Sequence, residues 1–408
     1  MRPMEWVFAL SIGLIGYTYL GYPLMLIIFA GIKQLHGDLW FGLGKRERRK
    51  AARTNDLPMV SLLFAAHNEA AVIQQKLQNL KTLEYPANRL EILLGCDGCT
   101  DSTARLARAG GLSNLLVCEF DERSGKPAVL NRLVPMANGD LIVFCDANTM
   151  FEPDTIQCMV RHFRDPKVGC VCGELRLRRI DGEPSTESLY WRYETLLKFL
   201  ESRLNILVGA NGALLGIRRS LFSPIPRNGI IDDFLVSMHV RSQGYRLVYD
   251  PEAVAWEEVA PNIRQEFRRR VRIGAGNFHA LRYTWRMLLP GAGLIAFSYW
   301  SHKILRWLVP VALCTSFVSA IWLVGQPLYA AFVAASIGIS LLGLIGYRLD
   351  LQERYSAPCN VPYYFLSMNL ALFLGLFRFA RGRQSLVWAP TERKEGASAE
   401  LQAKAARV

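Results

Sequence analysis

The stretch Val60-Ser-Leu-Leu-Phe-Ala-Ala-His-Asn-Glu69 is an apolar run of strand length with an abrupt polar end, and Leu90-Glu-Ile-Leu-Leu-Gly-Cys-Asp-Gly-Cys-Thr-Asp101 repeats the pattern. Between them, residues 68–83 carry Val72, Ile73, Leu77 and Leu80 at helical spacing. The alternation continues outward: a helix over 101–109, a strand over 115–120, a helix over 127–137 and a strand over 140–145. Strands that are apolar throughout and separated by helices predict an α/β fold with a mainly parallel sheet covered on both faces. Ligands of such sheets bind past the carboxyl ends of the strands. The polar residues there are Asn68 and Glu69, Asp97, Arg123 to Lys126, and Asp146 with Asn148.

On either side of this region the composition changes. Residues 6–32 are almost free of charge, and three further apolar blocks follow Lys303 near 304–324, 327–347 and 362–379. Each is long enough to cross a hydrocarbon core of about 30 Å as a helix. The first is too long for a signal-peptide core and lacks a cleavage site, so it reads as an uncleaved anchor. Lys33 and the run 45–50 follow it, while only Arg2 precedes it, which places the amino terminus outside and residue 33 onward in the cytosol. The expected division is 1–32 anchor, 33–56 basic linker, 57–285 soluble α/β domain, 286–302 interfacial segment, 303–380 carboxyl-terminal spans and 381–408 polar tail. Three spans after a cytosolic domain put the carboxyl terminus outside, whereas Arg378, Arg381 and Arg383 argue for inside.

The net charge of +13 sits largely beside the apolar blocks, at 45–50, 264–272 and 378–383, so anionic lipid headgroups account for it without nucleic acid. Seven of the nine cysteines fall between Cys96 and Cys172, in the part placed in the cytosol, and are expected as reduced thiols.

Each polar cluster has two readings. Asp146 and Asn148 lie two apart after a strand, which in extended geometry aims both oxygens at one hard cation; a strand-end turn uses the same residues for local bonds. Asp97 is placed to accept hydrogen bonds from a base or ribose, and an Asp-Gly turn with a helix cap explains the same letters. Gly125 and Lys126 open a helix where an anion is favoured, or Lys126 is a solvated charge. Asp232 and Asp233 open another helix, as capping groups or with one as a general base. Arg268, Arg269, Arg270 and Arg272 suit headgroups or a diphosphate.

Taken in order, segments 60–69, 96–101, Gly125-Lys126 with Leu130-Asn131, Asp146-Ala-Asn148, Ile231-Asp-Asp233 and Arg269-Arg-Val-Arg-Ile273 resemble the family 2 glycosyltransferases. The likeness is to the membrane-bound branch that includes cellulose, hyaluronan, chitin-oligosaccharide and poly-N-acetylglucosamine synthases. It implies a GT-A fold (Rossmann-like), an inverting single displacement and usually a uridine diphosphate sugar with Mg2+ or Mn2+. By the same resemblance Asp97 contacts uracil, Glu69 lines the base and Lys126 lies near the nucleotide. Asp146 and Asn148 match the D-x-D pair for ribose and metal, Asp233, beside Asp232, is the base, and Arg269 to Ile273, with Arg272, match Q-x-x-R-W.

The departures are Asn148 for the second Asp, Arg269 for Gln and Ile273 for Trp; an aliphatic Ile273 has no ring on which an acceptor sugar stacks. The implied partners are a nucleotide sugar, a polysaccharide, oligosaccharide or lipid acceptor such as a polyprenyl phosphate, membrane lipids, and partner subunits for export. The implied location is the cell (inner) membrane. A transporter or non-catalytic scaffold is the competing class; it requires most of the mass in the bilayer, against a long soluble stretch here.

Overall fold

The uncharged amino-terminal stretch winds into two successive helices, α1 (Pro3–Gly16) and α2 (Tyr22–Gly44), joined by one π-helical turn over Tyr17–Gly21. Leu10, Leu20 and Leu24 remain exposed, a surface suited to lipid. The computed structural model describes residues 3–44, 57–178, 186–258, 263–352 and 354–382. The basic run 45–50, Arg383 and the polar tail lie outside the described residues.

The chain divides into two compact units, one drawn from 1–36, 184–200 and 262–384, the other from 37–183 and 201–261. The second unit is the α/β part. Its first elements are β1 (Val60–Ala66), α3 (Ala70–Lys81), β2 (Leu90–Asp97), α4 (Thr103–Ala109), β3 (Leu115–Phe120), α5 (Lys126–Leu133) and β4 (Leu141–Phe144). They follow the expected alternation with ends moved by a few residues. β1 and β4 are buried along their whole length, as strands covered on both faces must be. There follow β5 (Met150–Phe151), α6 (Thr155–Val160), β6 (Val168–Arg178), α7 (Thr186–Leu204, grouped to residue 200 with the first unit), β7 (Leu215–Arg218), α8 (Asp232–Ser242) and β8 (Arg246–Glu258).

The eight strands form one sheet in the order β3-β2-β1-β4-β7-β6-β8-β5. β1 pairs parallel with β2 and β4, β2 with β3, and β6 with β8, while β7 runs antiparallel to both β4 and β6. Reversal of β7 sets its first residue, Leu215, opposite Phe144, the last of β4. The loop before β7 therefore joins the carboxyl ends of the parallel strands. A core of Leu62, Phe64, Ile73, Leu77, Ile92 and Leu94 ties β1, β2 and α3 together.

In the first unit, α9 (Ile263–Thr284) precedes α10 (Leu294–Ser298), which runs through a π-helical stretch, Tyr299–Ile304, into α11 (Leu305–Trp322). This continuous helix begins inside the segment expected to be interfacial. α12 (Pro327–Leu351) and α13 (Ala357–Ala380) complete the unit. Among the described residues four helices are long and apolar enough to cross a membrane: Pro3–Leu39, Leu294–Trp322, Pro327–Leu351 and Ala357–Ala380. α9 lies close against α13 because both present glycine, and a Cβ on Gly375 would stand 2.8 Å from the Ala275 nitrogen. Glu194 on α7 is buried with three basic side chains of the Leu294–Trp322 helix: Lys303 (2.8 Å), His302 (3.2 Å) and Arg306. The Arg306 guanidinium also lies over the ring of Tyr193, at 5.3 Å.

Candidate active site

The site forms where sterics press the loops together. A Cβ at Gly95 would collide with Val129 of α5, so the bare backbone of β2 lets that helix settle on the sheet and brings its first residue, Lys126, to the strand ends. Gly98, at φ +58°, turns the chain out of β2 where a side chain would meet the Arg123 nitrogen at 2.8 Å.

Asp97 closes β2 with none of its surface exposed. One carboxylate oxygen accepts hydrogen bonds from the Ser124 N–H (2.7 Å) and hydroxyl (3.1 Å), the other from the Gly125 N–H (2.8 Å). Three donors compensate the buried charge. Both oxygens of Asp97, where a base or ribose contact is expected, accept from this loop, which the carboxylate holds at the start of α5. Neighbouring loops are stitched likewise: Asn68, at φ +54°, accepts from the Thr100 N–H (2.9 Å), Asp101 accepts from the Ala70 N–H (3.1 Å), and the Glu69 N–H donates to Thr103 (2.9 Å).

Lys126 is the hub. Its ammonium lies 2.6 Å from Asp146 and 3.2 Å from Asp232. Burial alone would depress it, but Asp146 and then Asp232 hold it well above the ordinary lysine range. Asp233, next on α8, is half-buried, and burial followed by the charge of Asp232 pushes its carboxyl up to about 6 against the pull of Lys126. The loop before β7 backs it: a Cβ on Gly212 would lie 3.3 Å from Asp233 Cβ and 3.4 Å from Oδ2. Asp97, Lys126, Asp146, Asp232 and Asp233 are thus brought together at the strand ends.

Asp146 and Asn148 differ from the extended arrangement expected of them. The Thr149 N–H donates to the Asp146 carbonyl (3.2 Å), so they occupy the first and third positions of a turn, and strand alternation does not align their side chains. Among the described residues no group of three or more His, Cys, Asp or Glu side chains is disposed to hold a metal. One carboxylate and one amide do fit a hard divalent cation that takes its remaining oxygens from a bound phosphate. Arg269 and Arg272 lie on α9 in the other unit, Arg269 3.7 Å from Glu266.

Two residues beside the site, Gly212 and Lys76, belong to no motif of the sequence. Gly212 belongs to a Gly-Ala-Asn-Gly run with no obvious chemistry, and its signal is steric. Lys76 gave a sign: it falls on the apolar stripe of α3 between Ile73 and Leu80.

Among solved structures, a mannosyltransferase from Pyrobaculum calidifontis in complex with GDP-Man and Mn2+ superposes with a TM-score of 0.70 at 21% identity, over 93% of this chain and 100% of that one. The expected GT-A fold is therefore the observed one. The chain belongs to the family described as Glycosyltransferase like family 2, matched over residues 58–276. A poly-beta-1,6-N-acetyl-D-glucosamine synthase of Staphylococcus aureus is 26% identical over 284 residues, covering 64% of this chain and 66% of the relative. A probable glycosyltransferase of Bacillus subtilis is 27% identical over 239 residues, 54% of this chain and 56% of that one. The match spans just under two thirds of the length of the first of these relatives.

Proposed function

We propose that the protein moves a sugar from a nucleotide diphosphate sugar, of the uridine diphosphate class, onto a growing surface polysaccharide or oligosaccharide at the cytosolic face of the cell membrane. The observation that carries this reading is the Lys126 ammonium set between Asp146 and Asp232 beside Asp233, whose carboxyl is pushed up to about 6. A base tuned toward neutrality next to a fixed cation suits attack by a hydroxyl on a carbon bearing a diphosphate. Names of curated relatives and the four apolar helices support the acceptor class and the membrane setting.

In the proposed single displacement, Asp233 takes the proton of the acceptor hydroxyl as its oxygen bonds to the anomeric carbon. The bond to the diphosphate breaks and that group leaves with the electron pair, inverting the centre. Lys126 neutralises the developing charge, while Glu69 helps bind the donor. Asp146 and Asn148 would hold Mg2+ or Mn2+, which supplies Lewis-acid stabilisation of the diphosphate.

Membranes containing the protein should release uridine diphosphate from one member of a panel of nucleotide sugars; no turnover of any member would defeat the proposal. Sizing of the labelled product separates the acceptors, because Ile273 offers no stacking ring: long polymer supports a synthase, and an organic-soluble product supports a lipid acceptor.

Two substitutions sharpen the site. Asn148→Asp adds a charged oxygen, so half-maximal activity should come at a lower Mg2+ concentration, and an unchanged titration would remove Asn148 from the metal site. Gly212→Ala crowds Asp233 by a few tenths of an ångström, and kcat should fall by about tenfold with little change in Tm, since modest misplacement of a reacting group is costly.

A further inference from the structure

The amphipathic pattern of α3 leaves one residue unexplained. Ile73, Leu77 and Leu80 turn toward the sheet, and Lys76 lies on that same face with none of its surface exposed. Withdrawing an ammonium from water is unfavourable, so such a residue is usually replaced by an apolar one unless its charge or its hydrogen bond is needed.

What Lys76 touches is the turn that carries Asp146 and Asn148. Its Nζ donates to the carbonyl of Thr149, the residue whose N–H closes that turn, and it lies 4.2 Å from the centre of the Phe151 ring and 5.7 Å from that of Phe64. The same ammonium lies close enough to the Cys145 thiol, immediately before Asp146, for its charge to act on it. Thr149 is held from its other side, its hydroxyl donating to Glu257 at 2.6 Å. One turn further along α3, Asn79 clasps the Phe151 backbone twice, as donor and acceptor at 2.8 Å each. The turn is therefore held in place by α3 through Thr149 and Phe151, with Lys76 supplying the charged α3 contact.

We propose that Lys76 is a positioning residue of the donor site: by holding the Thr149 carbonyl it fixes the Asp146–Thr149 turn, and its buried positive charge favours an anionic diphosphate there. A neutral donor could make the hydrogen bond at less cost of desolvation; only a cation adds attraction that reaches the neighbouring anions where water is scarce. The inference rests on the donor site proposed above and extends it to a side chain that touches neither substrate nor metal.

The test uses the full chain in detergent and measures binding of uridine diphosphate by calorimetry, in Mg2+ and in EDTA, alongside kcat and donor KM. Lys76→Met removes charge and donor at similar length, Lys76→Gln keeps a donor without charge, and Lys76→Arg keeps the charge. Lys76→Met and Lys76→Gln should weaken uridine diphosphate binding in Mg2+ by about tenfold or more and raise donor KM to match, with kcat within about threefold of wild type. Lys76→Arg should recover most of the affinity. A folded Lys76→Met or Lys76→Gln protein that binds uridine diphosphate as wild type does, with only a lowered Tm, would overturn the inference while leaving the donor site intact. If Lys76→Met does not fold, Lys76→Gln decides by the same criterion. Wild-type protein that neither binds uridine diphosphate nor turns over a nucleotide sugar would instead defeat the donor-site reading, and the inference with it.

Discussion

Asp233→Asn should lower kcat by roughly 10²–10⁴-fold, the usual contribution of a positioned general base, and should make the protein more stable at pH 8. Both effects come from the same environment. The folded carboxyl is pushed up to about 6 from an ordinary value of 3.8, so the folded state holds its proton more tightly than the unfolded chain does. The ionised form therefore costs stability above about pH 6; this cost shrinks as pH falls through 6 and is gone below about 4. The amide should recover on the order of 1–3 kcal/mol at pH 8, partial exposure being taken into account, and nothing at pH 4. Thermal unfolding at the two pH values checks the sign, and an equal gain at both would refute it. In the wild-type protein kcat/KM should fall about tenfold per pH unit below 6, as the base becomes protonated.

Lys126→Met should be the most disruptive single change in the site. The ammonium stands 2.6 Å from Asp146 and 3.2 Å from Asp232, with Asp233 adjacent. Without it three carboxylates face one another in a poorly solvated cleft. Removing one partner of such a cluster should cost roughly 2–4 kcal/mol at pH 8, less than for a fully buried pair because Asp146 is 39% exposed. The loss should shrink as pH falls and Asp233 takes up its proton. Loss of a positioned cation should also lower kcat by about 10²-fold or more. Asp233 loses a charge that lowers its pKa, so the acid limb of any residual activity should move to higher pH. Unfolding curves and pH–rate profiles measure these effects separately, and a variant as stable as wild type at pH 8 would show that Lys126 is not the hub.

How far these residues could be read beforehand follows from how local their determinants are. β1, β2 and β4 announce themselves because strands covered on both faces are written as unbroken apolar runs, and Asp97, Lys126 and Asp146 follow as polar residues at their ends. Longer-range facts were not legible. Reversal of β7, which brings Gly212 against Asp233, depends on pairing with β4 and β6. The bonds from Asp97 to the Ser124–Gly125 backbone span a whole strand and its connections. The turn at Asp146 was one of two local possibilities, and hydrogen bonding at Thr149 selects it. α7 looks like part of the α/β domain by position in the chain, yet its buried Glu194 answers to basic residues more than a hundred positions away.

That ion cluster bears on how the protein could be dissected. Residues 57–285 look like a fragment to be cut free for work in plain buffer, but the cut would discard His302, Lys303 and Arg306 and keep Glu194. The orphaned acid and the rings of Tyr190 and Tyr193 would then face water on a helix stripped of its companions. A well-behaved soluble enzyme would require redesign of that helix's surface as well as trimming at the two ends.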